Sequence, residues 1–490
     1  MNFKTRETWN NVAGNQTANP LRQYEPENIA QIIDIIKESE QHHLPVRAIG
    51  SSHSWSDVGV TTGFLVKPDK LDKIMPLDAA LLKDQVDTST LFQVESGITI
   101  RRLNEELDAK GLALINMGGY DAQTIAGVIS TSTHGSGIEF GPLSDFVESL
   151  EIVSDGGLVY RIEPTNGITK PAEYKNKFPD RELIQNDDWF NAVVVSMGCM
   201  GVIYSLILRV TKKYWLKEVR ELATWDQVKQ DLKKGDVLKK NRHYEVLVNP
   251  HKVDGQHRCL ITTRNFSESP KGLPLDKMNR NIFSELLLSI PFVSDIMEFI
   301  FKTKPDVAGE VLNKGLEALK DDAYINVSYK VFNIGVANDI PALSSEIGFP
   351  LKDHTYIAAV DKFLELVEQH ESLGGLYHSA PISLRFVKAS DKFLSMMHGY
   401  DTCMMEIIMA KDTVGAMEMM YRYESELYKF SGRPHWGQIN SLTGSHDLVK
   451  SLYPKYDKWM EFYKKLNKNG TFDSPFSKRV GFCKESFVST

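Results

Sequence analysis

Isoleucines at 29, 32, 33, 35 and 36 fall on one face of a helix, and Glu25-Pro26-Glu27 ahead of them offer the proline and acids of a first turn. The pattern then changes to a short apolar run, Val46-Arg47-Ala48-Ile49, which stops at Gly50-Ser51-Ser52-His53-Ser54. A strand feeding a small-residue loop is predicted there. Short apolar runs at 64–66, 91–94, 147–153 and 202–210, bounded by Gly, Asp-Gly or charged turns, also read as strands. Between them 99–110 has helical spacing, with Gly111 where a left-handed residue ends a helix. Beyond 215 the chain is richer in Lys, Glu and Met at helical spacing: 239–262 reads as strand-rich, 280–320 as helical, and 324–334, 382–388 and 402–410 as strands. The class is α+β, and no fixed-period repeat points to a solenoid or propeller.

The 490 residues, 42% hydrophobic and 25% charged, have the balance of an ordinary globular protein with length for roughly two or three compact units. Fifty-seven basic against 64 acidic residues leave a net charge of −7, so there is no basic excess for phosphates, and nucleic acid and anionic membranes are poor partners. The four cysteines, Cys199, Cys259, Cys403 and Cys483, lie far apart without C-x-x-C spacing. No zinc or dithiol motif is present, no metal site is predicted, and reduced thiols of a cytoplasmic protein are the reading. Met1-Asn2-Phe3-Lys4 lacks the apolar core of a signal peptide. The most apolar stretch, 282–301, is interrupted by Glu285, Pro291, Asp295 and Glu298. A spanning helix needs about 20 residues nearly free of charge, so this stretch reads as two amphipathic helices for core or cap packing, or for peripheral contact with a membrane. Glycine and small residues concentrate before 210 and return after 431, which predicts units at 1–210 and 211–430 and a tail, 431–490, that packs back on the first.

Candidate chemistry begins with segment 115–137, where Gly118, Gly119, Gly127, Ser130, Thr133, His134 and Gly137 are dense enough for backbone amides to approach a pyrophosphate. A loop merely rich in turns is the alternative, since neither G-x-G-x-x-G nor G-x-x-x-x-G-K-[ST] occurs in it. Two further close-approach segments, Arg47 to Ser54 and Gly198-Cys199-Met200-Gly201-Val202-Ile203, join it. Three such segments fit one extended dinucleotide.

Arg47-Ala48-Ile49-Gly50-Ser51-Ser52-His53-Ser54, Val94-Glu95-Ser96-Gly97, Thr133-His134-Gly135-Ser136-Gly137, Ser196-Met197-Gly198-Cys199-Met200-Gly201-Val202 and Gly432-Arg433-Pro434-His435-Trp436-Gly437 occur in this order. Over nearly the whole chain they resemble the vanillyl-alcohol oxidase type of flavoprotein, in its aldonolactone and alditol oxidase branch. The resemblance implies an FAD-binding domain of the PCMH type, built from two α/β subdomains, and a substrate domain of antiparallel sheet and helices. It implies FAD held by 47–54, by Gly118, Gly119, Gly127, Ser130, Thr133, His134 and Gly137, and by Gly198, Gly201, Val202 and Ile203. His53 falls where covalent members carry the histidine bonded to flavin, and a neutral imidazole nitrogen is a competent nucleophile near pH 7. The implied reaction is hydride transfer from a small-molecule alcohol to flavin, with O2 reduced to peroxide. Gly118 stands where related dehydrogenases carry an alanine that blocks oxygen, which leans toward an oxidase.

The chain departs from its relatives at two charged positions. The family's Glu-x-Arg strand reads Ser383-Leu384-Arg385, and the lysine after His-Trp-Gly is Gln438. Arg385 remains to stabilise reduced flavin or an alkoxide. Glu406, alone in the apolar run Cys403-Met404-Met405-Glu406-Ile407-Ile408-Met409, is read either as a replacement carboxylate that meets Arg385 and accepts the hydroxyl proton, or as an outward-facing glutamate. His435 is a second candidate base or donor. Glu346, in a segment resembling the branch's Glu-x-x-x-Pro, and Tyr377-His378 are read first as structural. Three alternatives stay open: a dehydrogenase with a non-oxygen acceptor, a flavin-binding protein that has lost catalysis, and an oxidase for an amine or a larger apolar alcohol.

Overall fold

In a computed structural model of the chain, which describes residues 3–269, 304–335, 341–443 and 446–482, the isoleucine stripe forms the helix Ile29–Gln41 and buries Ile32, Ile35 and Ile36. Its cap is Asn28, whose side chain accepts from the Gln31 N–H, so the acids and proline lie ahead of the helix rather than in its first turn. The side-chain oxygen satisfies an otherwise orphaned backbone donor, which neither a proline nor an acid outside the helix does. The helix Ile100–Ala109 ends at Lys110, and Gly111 follows at φ 69°.

Two larger sheets lie in the N-terminal part, beside two-stranded pairs. In the four-stranded sheet, Val46–Ala48 and Arg22–Tyr24 flank Phe64–Val66, both parallel to it. The six-stranded sheet runs Arg181–Gln185, Val159–Glu163, Val147–Val153, Val202–Arg209, Leu91–Glu95, Ile74–Met75.

The remaining large sheet has eight strands in the order Asp321–Val327, Trp215–Thr224, Arg258–Ser267, His243–Val248, Ile382–Val387, Thr402–Ala410, Ala342–Pro350 and Arg433–Pro434, every neighbouring pair antiparallel. Period-two alternation divides its faces. One face, with Val246, Leu384, Met405 and Ile347, is packed in a single apolar core with Phe363 of the helix Thr355–Gly374 and Met419 of the helix Ala416–Leu427. The residues between them, Glu245, Ser383, Arg385, Glu406, Ser344 and Glu346, belong to the opposite, polar face.

The predicted strand 324–334 is instead a strand, Asp321–Val327, followed by the helix Ser328–Phe332. Val331 and Phe332 are buried from that helix, and a short apolar run does not distinguish the two conformations by itself. The charged strand Trp215–Thr224 lies in the region whose general spacing is helical, with no element singled out there; here Glu218 is buried against Arg264. Of the predicted helical stretch 280–320, the helix Ala308–Ala318 is present, while the membrane-surface reading of 282–301 and Cys483 lie outside the described residues. No helix among the described residues is long and apolar enough to cross a membrane.

The tail meets the N-terminal elements at several points. The Trp459 indole donates to Val195 O at 3.1 Å, Ser154 Oγ donates to Leu466 O at 2.6 Å, and the Val46 N–H donates to Thr471 O at 2.7 Å. Arg479 pairs with Asp57 at 2.6 Å. Trp459 is fully buried, stacked on Tyr463 and against Phe482. Trp459→Ala is expected to destabilise the protein by about 3–5 kcal/mol, read as a lower denaturant midpoint. An unchanged midpoint would show that the tail is not part of the cooperative fold.

Candidate active site

The three small-residue segments of the sequence converge on one cleft, lined by 47–54, by parts of 123–133 and by parts of 196–203. The loop after the Val46–Ala48 strand turns sharply, with Ser52 at φ 63°, and Gly50 comes so close to the helix Ile125–Ser130 that a Cβ would meet Thr124 Oγ1 at 2.3 Å. Ser51 Oγ donates to Ala122 O at 2.7 Å and accepts from the Thr124 N–H at 3.1 Å, which ties the first two segments together. Arg47 ties the first to the third. Its guanidinium, 1% exposed, donates to Met197 O at 2.5 Å and to Val58 O, so it holds backbone rather than an anion.

Gly127, Ser130, Thr133, Gly198, Gly201, Val202 and Ile203 also line the cleft, as do Trp9, Thr124 and Thr131, which had no sequence signal of their own. Trp9 comes from a short hairpin and donates to Ser52 Oγ at 3.0 Å, a contact only the folded chain makes. His53 is half-buried on the cleft wall. Its Nε2 lies 3.3 Å from the Tyr120 hydroxyl, and burial lowers its pKa, which keeps the imidazole neutral at pH 7. Gly118, Gly119, His134 and Gly137 stand away from the cleft lining: the Gly137 N–H donates to Phe386 O at 2.7 Å, and His134 faces Glu346.

The polar face of the large sheet gathers the remaining candidates. Arg385 Nη2 and Glu406 Oε2 are 3.8 Å apart, and Ser344 Oγ donates to Glu406 Oε1 at 3.3 Å. Ser383 is the strand neighbour of Glu406 on one side, and Glu346 on the other. Glu245, opposite Arg385, takes the Arg264 guanidinium at 2.7 Å, and Arg264 reaches Glu218 at 2.7 Å. A line of alternating charge therefore crosses the sheet. Glu218, Glu245 and Arg264 escape sequence reading because a charge on a strand looks like part of a solvated face. Only the cross-strand pairing shows Glu218 and Arg264 buried, with Glu245 half-buried beside them.

Burial raises the Glu406 carboxyl above its usual range, against the pull of Arg385. Burial acts on Glu346 in the same sense, yet His134 at 3.1 Å outweighs it and holds that carboxyl well below the usual range. Segment 435–439 runs alongside: the His435 N–H donates to Glu346 O at 2.8 Å, the Ile439 N–H to Ser344 O at 2.9 Å, and the Trp55 N–H to Gly437 O at 2.8 Å. It thus connects the His53 loop to the carboxylates. His435 cannot be the base that the sequence offered. Its Nδ1 accepts from the Gly437 N–H at 3.0 Å and burial lowers its pKa to about 4, so the neutral ring carries its proton on Nε2 and only donates. Gln438 is buried with its Oε1 unpartnered among the described residues.

Comparison with known proteins fits this arrangement. The sequence profile of the family described as D-arabinono-1,4-lactone oxidase matches residues 206–480, and that of an FAD binding domain matches residues 20–163. The chain belongs to the D-arabinono-1,4-lactone oxidase family. It is 26% identical to L-gulonolactone oxidase of Mus musculus, over 96% of this chain and 97% of that one. It is also 26% identical to L-gulono-1,4-lactone dehydrogenase of Mycobacterium tuberculosis, over 96% of this chain and 98% of that one. D-arabinono-1,4-lactone oxidase of Saccharomyces cerevisiae is 30% identical over 48% of this chain and 40% of its own length. A crystal structure of cholesterol oxidase from B. sterolicum superposes with a TM-score of 0.76 at 13% identity, over 98% of this chain and 97% of that one, and shows the shared fold.

This lactone oxidase family member is an FAD-dependent oxidoreductase acting on a CH–OH group. Its cleft fits the cofactor on its own terms. The buried hydroxyls of Ser96 and Ser196 line it without a partner among the described residues, a costly state unless a ligand supplies one. Ser96→Ala and Ser196→Ala, made in a His53→Ala background so that binding is reversible, are each expected to weaken FAD binding by about 3–10-fold. The thermal midpoint of the apoprotein should stay level or rise. A lowered apoprotein midpoint with unchanged FAD affinity would assign these hydroxyls to the fold instead.

Proposed function

We propose that this enzyme oxidises the hydroxyl-bearing carbon of a small polyhydroxylated lactone or related alcohol, with FAD bonded to His53 and O2 as the acceptor, giving peroxide. The observation that carries the reading is the Arg385–Glu406–Ser344 group, half-buried on the polar face of the sheet and connected to the His53 loop by segment 435–439. FAD supplies the hydride acceptor. Glu406 takes the proton of the substrate hydroxyl, and Arg385 steadies the negative charge that develops on that oxygen. His435 donates from Nε2, and Ser383 with the unpartnered Gln438 amide hydrogen-bonds substrate hydroxyls where the family carries a charged pair. His53 is prepared for the linkage: Tyr120 engages Nε2, and Nδ1 makes no hydrogen bond among the described residues.

Gly118 does not decide the acceptor: it stands away from the cleft lining, and packing explains the glycine, since a Cβ there would press on His134 O at 3.2 Å. The proposal includes units at 1–210 and 211–430 with the tail 431–490 completing the site, and a reducing cytoplasmic setting that suits the buried free thiols of Cys199, Cys259 and Cys403.

Anaerobic mixing with L-gulono-1,4-lactone or D-arabinono-1,4-lactone is expected to bleach the flavin, and aerobic turnover to release one peroxide per lactone oxidised. Reduction with reoxidation only by dyes would replace the oxidase by a dehydrogenase, and a flavin bleached by no lactone or alcohol would end the reading. Glu406→Gln should slow flavin reduction by about 10²–10⁴-fold with flavin content intact. In His53→Ala the flavin should leave the protein on acid precipitation, whereas in the parent it should stay.

A further inference from the structure

Glu406 has a second carboxylate beside it. Glu346 is its register partner on the adjacent strand, on the same polar face, and is itself buried. Carboxylates so placed do not both ionise unless each is compensated. Glu406 has Arg385 at 3.8 Å and the Ser344 hydroxyl at 3.3 Å. Glu346 has His134, whose tautomer is decided by the backbone. His134 Nδ1 lies 2.8 Å from Gly135 O, and a carbonyl only accepts, so Nδ1 carries a proton. Nε2 lies 3.1 Å from Glu346 Oε1. In a neutral ring that nitrogen would be bare, with two lone pairs facing each other. One further proton therefore belongs to the His134–Glu346 pair, held as an ion pair, since Glu346 Oε1 accepts no well-aligned hydrogen bond among the described residues.

The other charged or titratable groups around Glu406 are accounted for. Glu245, opposite Arg385, is paired with Arg264, and Arg264 with Glu218. The His435 ring, 6.2 Å from that of His134, is neutral with its Nδ1 committed to the Gly437 N–H.

We propose that His134 and Glu346 are positioning residues that set the proton state of Glu406: they keep one proton between themselves and leave Glu406 as the group that takes or releases the next. This rests on the reading of Glu406 as the base. Glu346 presents a negative charge to Glu406 through the strand pairing and so favours its protonated form, while Arg385 opposes it. Burial and the Glu346 charge both raise the Glu406 carboxyl, which places the rise of flavin reduction with pH above the ordinary glutamate range of about 4.3.

The test is an infrared difference titration of the holoenzyme, with Glu406→Gln identifying the protonated-carboxyl band of Glu406. Glu346→Gln removes the neighbouring negative charge and should move the midpoint of that band down by about one pH unit. His134→Gln removes the proton holder, so the carboxylates must share a proton, and the midpoint should rise by a similar amount. The pH profile of flavin reduction should move in the same opposite directions, which loss of packing alone would not produce. A Glu406 midpoint unmoved by Glu346→Gln, or moved the same way by both variants, overturns the proposal. The Glu346→Gln result decides by itself should His134→Gln not fold. Failure of the base assignment looks different: the infrared midpoints shift as described while Glu406→Gln reduces its flavin at the parent rate.

Discussion

The eight-stranded sheet depends on opposite charges alternating across its polar face. Glu218, Arg264, Glu245, Arg385 and Glu406 follow one another from strand to strand, each next to a charge of the other sign. An isolated charge so deep would be neutralised or would expel itself into water, because removing it from solvent costs several kcal/mol per ion in round terms, about what one well-placed partner returns. The line is stable only as a line. Its consequence is that Arg385 and Glu406, at the end nearest the tail, are held by neighbours that also set their charge. A half-buried carboxylate whose charge is only partly compensated is suited to taking a proton; a fully exposed one is less so.

The same economy of contact shapes the cofactor cleft. Arg47, Ser51 and Gly50 do not wait for a ligand: they hold the loop, the helix Ile125–Ser130 and the 196–201 segment in place. Backbone and the spare hydroxyls of Ser96 and Ser196 are left to face the cavity. The tail then joins both halves of the chemistry, since segment 435–439 bonds to Trp55 on the cofactor side and to Ser344 and Glu346 on the carboxylate side. The two catalytic halves therefore share one rigid spacer.

Much of this was legible in local pattern. The isoleucine stripe, the apolar runs at 147–153 and 402–410, and the Gly-Ser-Ser-His-Ser loop carry their structure in their own residues, because period and turn chemistry act over a few positions. Where the pattern misled, a distant partner was responsible. Trp215–Thr224 carries no strand signal until Arg264 neutralises Glu218, and 324–334 reads as one strand until its end turns into a helix that buries Phe332.

By itself, then, the sequence determined the class of fold, the three small-residue segments that surround a dinucleotide, the histidine beside them and the loss of one acid and one base from the family's substrate site. Only the tertiary structure decided which charges are buried, that Glu346 stands opposite Glu406, that His134 faces Glu346, and that His435 Nδ1 is taken by the Gly437 N–H. The reason is physical: residue type and spacing act locally, whereas the state of a proton depends on the few atoms around it, and here those atoms come from a loop and a strand more than 200 residues apart in the chain.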